Sequence, residues 1–167
     1  AFADTWYIED GDISISAGES GNDVTQNGET TKNDTDTVIT NRDTSTASSN
    51  TVTIDADEGK TVNVTLDNVT INVDEGYKYG YDPNAYKTAV SVTGSGNTNI
   101  ELNGNNTLTS GGWHAGLEHN KETDSEGNET SGTLTITDTD KNGSLAATGG
   151  NYDYRSEERR VGKECRS

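Results

Sequence analysis

Most branched aliphatic residues of this chain sit in short alternating runs: Ile13-x-Ile15, Val52-x-Ile54, Val62-x-Val64-x-Leu66, Val69-x-Ile71-x-Val73, Val90-x-Val92, Ile100-x-Leu102 and Leu134-x-Ile136. A period of two sends successive side chains to opposite faces, so each run reads as a half-buried β-strand. Gly, Asn, Asp and Ser fill the intervals, which is the chemistry of turns. The runs also group in threes. Val52/Ile54, Val62/Val64/Leu66 and Val69/Ile71/Val73 form one set, Val90/Val92, Ile100/Leu102 and Leu108 a second, and Ala115/Leu117, Leu134/Ile136 and Leu145/Ala147 a third. Ile13/Ile15, Val24 and Val38/Ile39 form a fainter, earlier set. The second and third sets start 25 residues apart, while an insertion at 74–88 lengthens the step from the first, and another at 118–132 interrupts the third.

Three short strands per repeat predict an all-β chain wound as a right-handed, three-sided parallel β-helix, truncated at about three to four turns. Each strand then bonds to its equivalent one turn on, roughly 4.8 Å away, and the insertions leave at corners without breaking the ladder. The rival is an antiparallel β-sandwich, which does not repeat three strands in a fixed order. Composition favours the coil. Leu, Ile, Val and Phe number 25 of 167 residues, below the roughly 20% at which a charged chain is suspected of disorder. A solenoid whose interior is one side chain deep on each face needs few of them.

Lys and Arg number 12 against 29 Asp and Glu, a formal charge of −17. Such a chain repels phosphate, which argues against a nucleic-acid partner. No apolar run approaches the roughly 18 residues of a membrane span, so membrane insertion is not expected. Residues 155–165, RSEERRVGKEC, match in order the translation of a short-read sequencing adapter, so 155–167 are read as a non-native tail and the coil as residues 4–154. On that reading downstream turns are missing and the uncapped last turn is a candidate for self-association. The tail also holds Cys165, the only cysteine. At the other end, Ala1-Phe2-Ala3 resembles the remnant of a secretory signal-peptide cleavage site, which predicts a secreted or cell-surface protein.

Residues 51–73, TVTIDADEGKTVNVTLDNVTINV, and 89–110, AVSVTGSGNTNIELNGNNTLTS, resemble a family of secreted bacterial β-helix proteins described as carbohydrate-binding domains. The acidic turn at 54–59, the corner Leu66-Asp67-Asn68-Val69 and the run Asn105-Asn106-Thr107-Leu108 carry the resemblance. It implies a pectate-lyase-like superfold, surface display, polysaccharide binding and calcium, but the fold itself does not imply lyase activity.

The insertion at 74–88 holds Tyr77, Tyr79, Tyr81 and Tyr86. Tyrosine rings stack on the C–H faces of sugars while their hydroxyls bond sugar hydroxyls, so these residues, extended by Trp113, are the candidate polysaccharide platform. Mutual packing within a long loop is the alternative for the tyrosines, and shielding of the core under the 118–132 insertion is the alternative, and the favoured one, for Trp113. Asp138, Asp140 and Asn142, followed by Gly143, match the first half of a calcium loop, but position 12 is Gly149, and an Asx-rich turn explains the same residues. His114, Glu118 and His119 match no standard metal spacing. For catalysis, Arg42 is the single Arg before the tail and no carboxylate pair stands out. The expected function is a non-catalytic polysaccharide-binding module, with a structural stalk or adhesin segment, and then a polysaccharide lyase, as alternatives.

Overall fold

The computed structural model describes residues 2–73 and 86–150, and places them in a three-sided β-solenoid of about four turns. Its strands are β1 (Phe2–Tyr7), β2 (Ile13–Ala17), β3 (Asn22–Gln26), β4 (Glu29–Thr40), β5 (Val52–Asp55), β6 (Thr61–Asp67), β7 (Thr70–Asn72), β8 (Val90–Thr93), β9 (Asn97–Thr109), β10 (Leu117–Glu118), β11 (Leu134–Thr137) and β12 (Gly143–Thr148). Three parallel stacks make the walls. Face I is β2, β5, β8 and β10; face II is β1, β4, β6, the first half of β9 and β11; face III is β7, the second half of β9 and β12. From residue 50 onward every named strand pair is parallel, which excludes the sandwich.

The register explains why so few apolar residues suffice. Equivalent inward side chains stack turn upon turn: Ile13, Val52, Val90 and Leu117 on face I, Ile39, Leu66 and Leu102 on face II, Ile71, Leu108 and Ala147 on face III. All of these are buried. Two columns depart from this chemistry. Thr98 stands between Val62 and Leu134, fully buried, and its hydroxyl has no hydrogen-bond partner among the described residues. Asn106 is buried beside Val69; its carbonyl accepts the Val69 N–H at 2.8 Å and its amide donates to Asn103 and Ser144 carbonyls, so the side chain joins three successive turns.

Faces II and III meet at a one-residue corner. Asn68 (φ +53°) and Gly104 (φ +64°) turn the chain there in consecutive coils. A Cβ on Gly104 would sit 2.2 Å from Asn68 Oδ1, so a larger residue there would displace the Asn68 side chain. The step from face III to face I lies between β7 and β8, and residues 118–132 leave between faces I and II.

The earliest set corrects one expectation. Val24 does not lie on a wall of its own: β3 runs antiparallel to both β2 and β4. It is the first arm of a hairpin whose turn, Asn27-Gly28, has positive φ at both residues and pairs Gln26 with Glu29. That is the two-residue turn whose twist suits a hairpin. β3 lies along the free edge of β2, with Asn22, Val24 and Gln26 facing inward. The Gln26 amide donates to Tyr7 O and Gly11 O, and the Asn22 amide to Thr37 Oγ1 and Asn63 O. With Ile8, these residues close the N-terminal end of the coil.

Candidate functional site

Of the expected platform residues, Tyr86 and Trp113 are described, and both lie at the corner between faces III and I. Ser110, fully buried, ties it together: its Oγ accepts the Ala89 N–H at 2.8 Å and donates to Ala115 O at 2.5 Å. Next to it, Gly111 N–H donates to Lys87 O at 2.8 Å. This bond joins the segment bearing Tyr86 to the turn bearing Trp113, so two residues 27 positions apart in sequence share one corner. Trp113 is 45% exposed and its backbone lies in the left-handed region at φ +73°. A bulky residue there is strained by about 1–3 kcal/mol and persists only where its surroundings hold it. Tyr86 is half-buried. Tyr77, Tyr79 and Tyr81 lie outside the described residues.

An imidazole–carboxylate pair lies beside this corner. His114 Nδ1 is 3.0 Å from Glu118 Oε2, and the same carboxylate accepts from Ala115 N–H and the Thr88 hydroxyl. Burial pushes the Glu118 carboxyl up, but the His114 hydrogen bond and charge, then the other donors, outweigh it and leave the group below the ordinary range. His119 serves different partners, with Nδ1 3.2 Å from Val92 O and Nε2 3.0 Å from Gly132 O, so it staples the base of the 118–132 excursion to β8.

The half-loop at 138–143 is a turn. Asp138 Oδ1 accepts the N–H of Asn142 at 3.1 Å and of Gly143 at 3.0 Å, while Lys141 N–H donates to Asp138 O and Lys141 adopts φ +56°. The carboxylate thus satisfies backbone donors, and Asp140 is exposed. Among the described residues no three His, Cys, Asp or Glu side chains gather into a cluster that could hold a metal ion. Arg42 is engaged elsewhere. Its guanidinium forks onto Asp10 and lies 4.0 Å from the centre of the Tyr7 ring, while Glu9 accepts the N–H of Arg42 and Asp43. Together they fasten the first turn of chain to the segment after β4.

The outer side of face II carries an array that the sequence reading passed over. Asn63 stacks on Asn99, and Thr65 on Glu101 and Thr137. Asn99 Nδ2 donates to Asn63 Oδ1 at 2.9 Å, and Glu101 accepts from Thr137 Oγ1 and from both N–H and hydroxyl of Thr139. Hydrogen bonds from the Thr137 hydroxyl first, then from Thr139, hold the Glu101 carboxyl low. A signal existed: Asn63 and Asn99 occupy the same outward position in the second strand of consecutive sets.

No family model, curated protein or solved structure matches this chain. Its function is therefore argued from its own surface.

Proposed function

We propose that this chain is a non-catalytic polysaccharide-binding module, secreted or displayed on a cell surface, whose ligand lies against the aromatic corner between faces III and I. The observation that carries the reading is the placement of Trp113. An exposed indole in a left-handed backbone, beside the segment that leads out of the tyrosine-rich insertion, is costly for a surface turn and useful for a sugar ring. Rigid aromatic rings lose little entropy on contact, and the coil behind them is a fixed support.

Affinity electrophoresis through pectin, xylan and cellulose, with and without calcium, tests the reading. Retardation by one glycan is expected, weakened by Trp113→Ala and by Tyr79→Ala combined with Tyr81→Ala. Unchanged mobility in every glycan removes the proposal. The stalk reading draws on a different observation, the stacking of parallel strands through about four turns, which suits a spacer. It predicts that ligand contact lies outside this chain and that no glycan retards it.

A further inference from the structure

Two recesses cross the outer side of face II. One, of about 500 Å³, reaches from residues 17–22 past Lys60 to Asn63; the other, of about 420 Å³, runs from Asn63 past Thr65 and Asn99 to Glu101 and Thr137. Both include Thr35 and Asn63, so they form one trough. It crosses the strands, and hence follows the coil axis. A chain lying in it meets an equivalent side chain at each turn, roughly every 4.8 Å. The ladder bond between Asn99 and Asn63 uses one donor and one acceptor, and leaves the Asn63 amide N–H groups and the Asn99 amide oxygen without a protein partner among the described residues. Carboxylates at Asp36 and Glu101 add acceptors.

We propose that this trough is a second saccharide-contact face, and that it takes a neutral, hydroxyl-rich glycan extended along the coil axis. The inference rests on the polysaccharide reading above and adds a site and a ligand class to it. Sugar hydroxyls both donate and accept, which matches alternating amides, hydroxyls and carboxylates. Charge selects the class. Glu19, Asp36 and Glu101 outnumber Lys60 along the trough, in a chain of net −17, so a polyuronate is repelled where a neutral glycan is not. Among the described residues the trough has no aromatic lining, so its contacts differ in kind from those of the Trp113 corner.

Titration of the full chain with cellohexaose as neutral probe and hexagalacturonate as anionic probe, followed by amide NMR and calorimetry, tests this. Cellohexaose is expected to shift amides of β6 and β9. Asn63→Ala combined with Asn99→Ala should lower its affinity about tenfold, the loss of one or two net hydrogen bonds. Thr65→Arg, which fills the trough and leaves the amide ladder in place, should do the same, and hexagalacturonate should leave these amides unmoved. Unchanged cellohexaose affinity in both variants, or equal shifts from the anionic probe, overturns the proposal. Binding abolished by Trp113→Ala but untouched by the face II variants removes this face and keeps the polysaccharide reading; no binding by either probe removes both.

Discussion

At the scale of single residues, polar groups in the interior decide more than their number suggests. Thr98 replaces an aliphatic in the column of Val62 and Leu134, and its buried hydroxyl has no partner among the described residues. Valine has nearly the same shape and nothing to desolvate, so Thr98→Val should raise stability by about 1 kcal/mol, seen as a higher urea midpoint at unchanged slope. Asp34 is the opposite case. It is buried, and its carboxylate accepts the Asp4 and Asp36 N–H groups and the Trp6 indole N–H at 2.9 Å. Asp34→Ala orphans these donors and should cost about 2–3 kcal/mol. Glu118 gives a pH effect whose sign is fixed. Its folded-state carboxyl lies below its unfolded value, so the stabilisation is present above the unfolded value and is lost as pH falls through the folded one. Thermal midpoints should fall through the acid range below about pH 4, and Glu118→Gln should make that fall shallower. These interior columns were legible from period-two alternation, which marks the inward positions. The Asp4 and Trp6 partners of Asp34 and the Thr88 partner of Glu118 were not, because contacts between residues about 30 apart depend on coil register, which the sequence shows only as a repeat length.

At the scale of elements, corners matter as much as strands. Gly94, Gly96 and Gly132 stack where face I turns into face II, and a Cβ on Gly132 would fall 1.6 Å from Gly96 O. Backbone cannot yield at that distance. Gly132→Ala should therefore unseat β11 while leaving the earlier coils intact, because each turn of a solenoid contacts only its neighbours. Hydrogen exchange is the measurement: loss of protection in β11 and β12 with retained protection in β2, β5 and β6 is expected, and uniform loss would show one cooperative unit instead. Alternation predicted the parallel walls of the later sets, yet it misassigned β3. Val24 has the apolar spacing of a wall strand, but Asn27-Gly28 reverses the chain, and a local turn signal outranks periodicity where a hairpin is only a few residues long. The candidate site was legible to the extent that aromatics cluster in sequence. That Tyr86 and Trp113 share a corner required the fold.

At the scale of the whole molecule, the two ends differ. Val24 and Ile8 are fully buried at the N-terminal end, whereas on β11 Ile136 is 36% exposed and, among the described residues, no strand pairs with its outer edge. An unpaired edge with an aliphatic beside it is a template for another strand. We expect concentration-dependent association through this last turn, measured by sedimentation, and Ile136→Lys should suppress it; a monomer at all concentrations would contradict the expectation. The sealed β3 end has a consequence for how such a chain can change in size. It covers the outer edge of β2, so on face I a duplicated module fits only in the interior or at the opposite pole. Each added module would lengthen the rod by one layer spacing and leave its girth untouched, which lets selection adjust reach without redesigning either the closed pole or the walls.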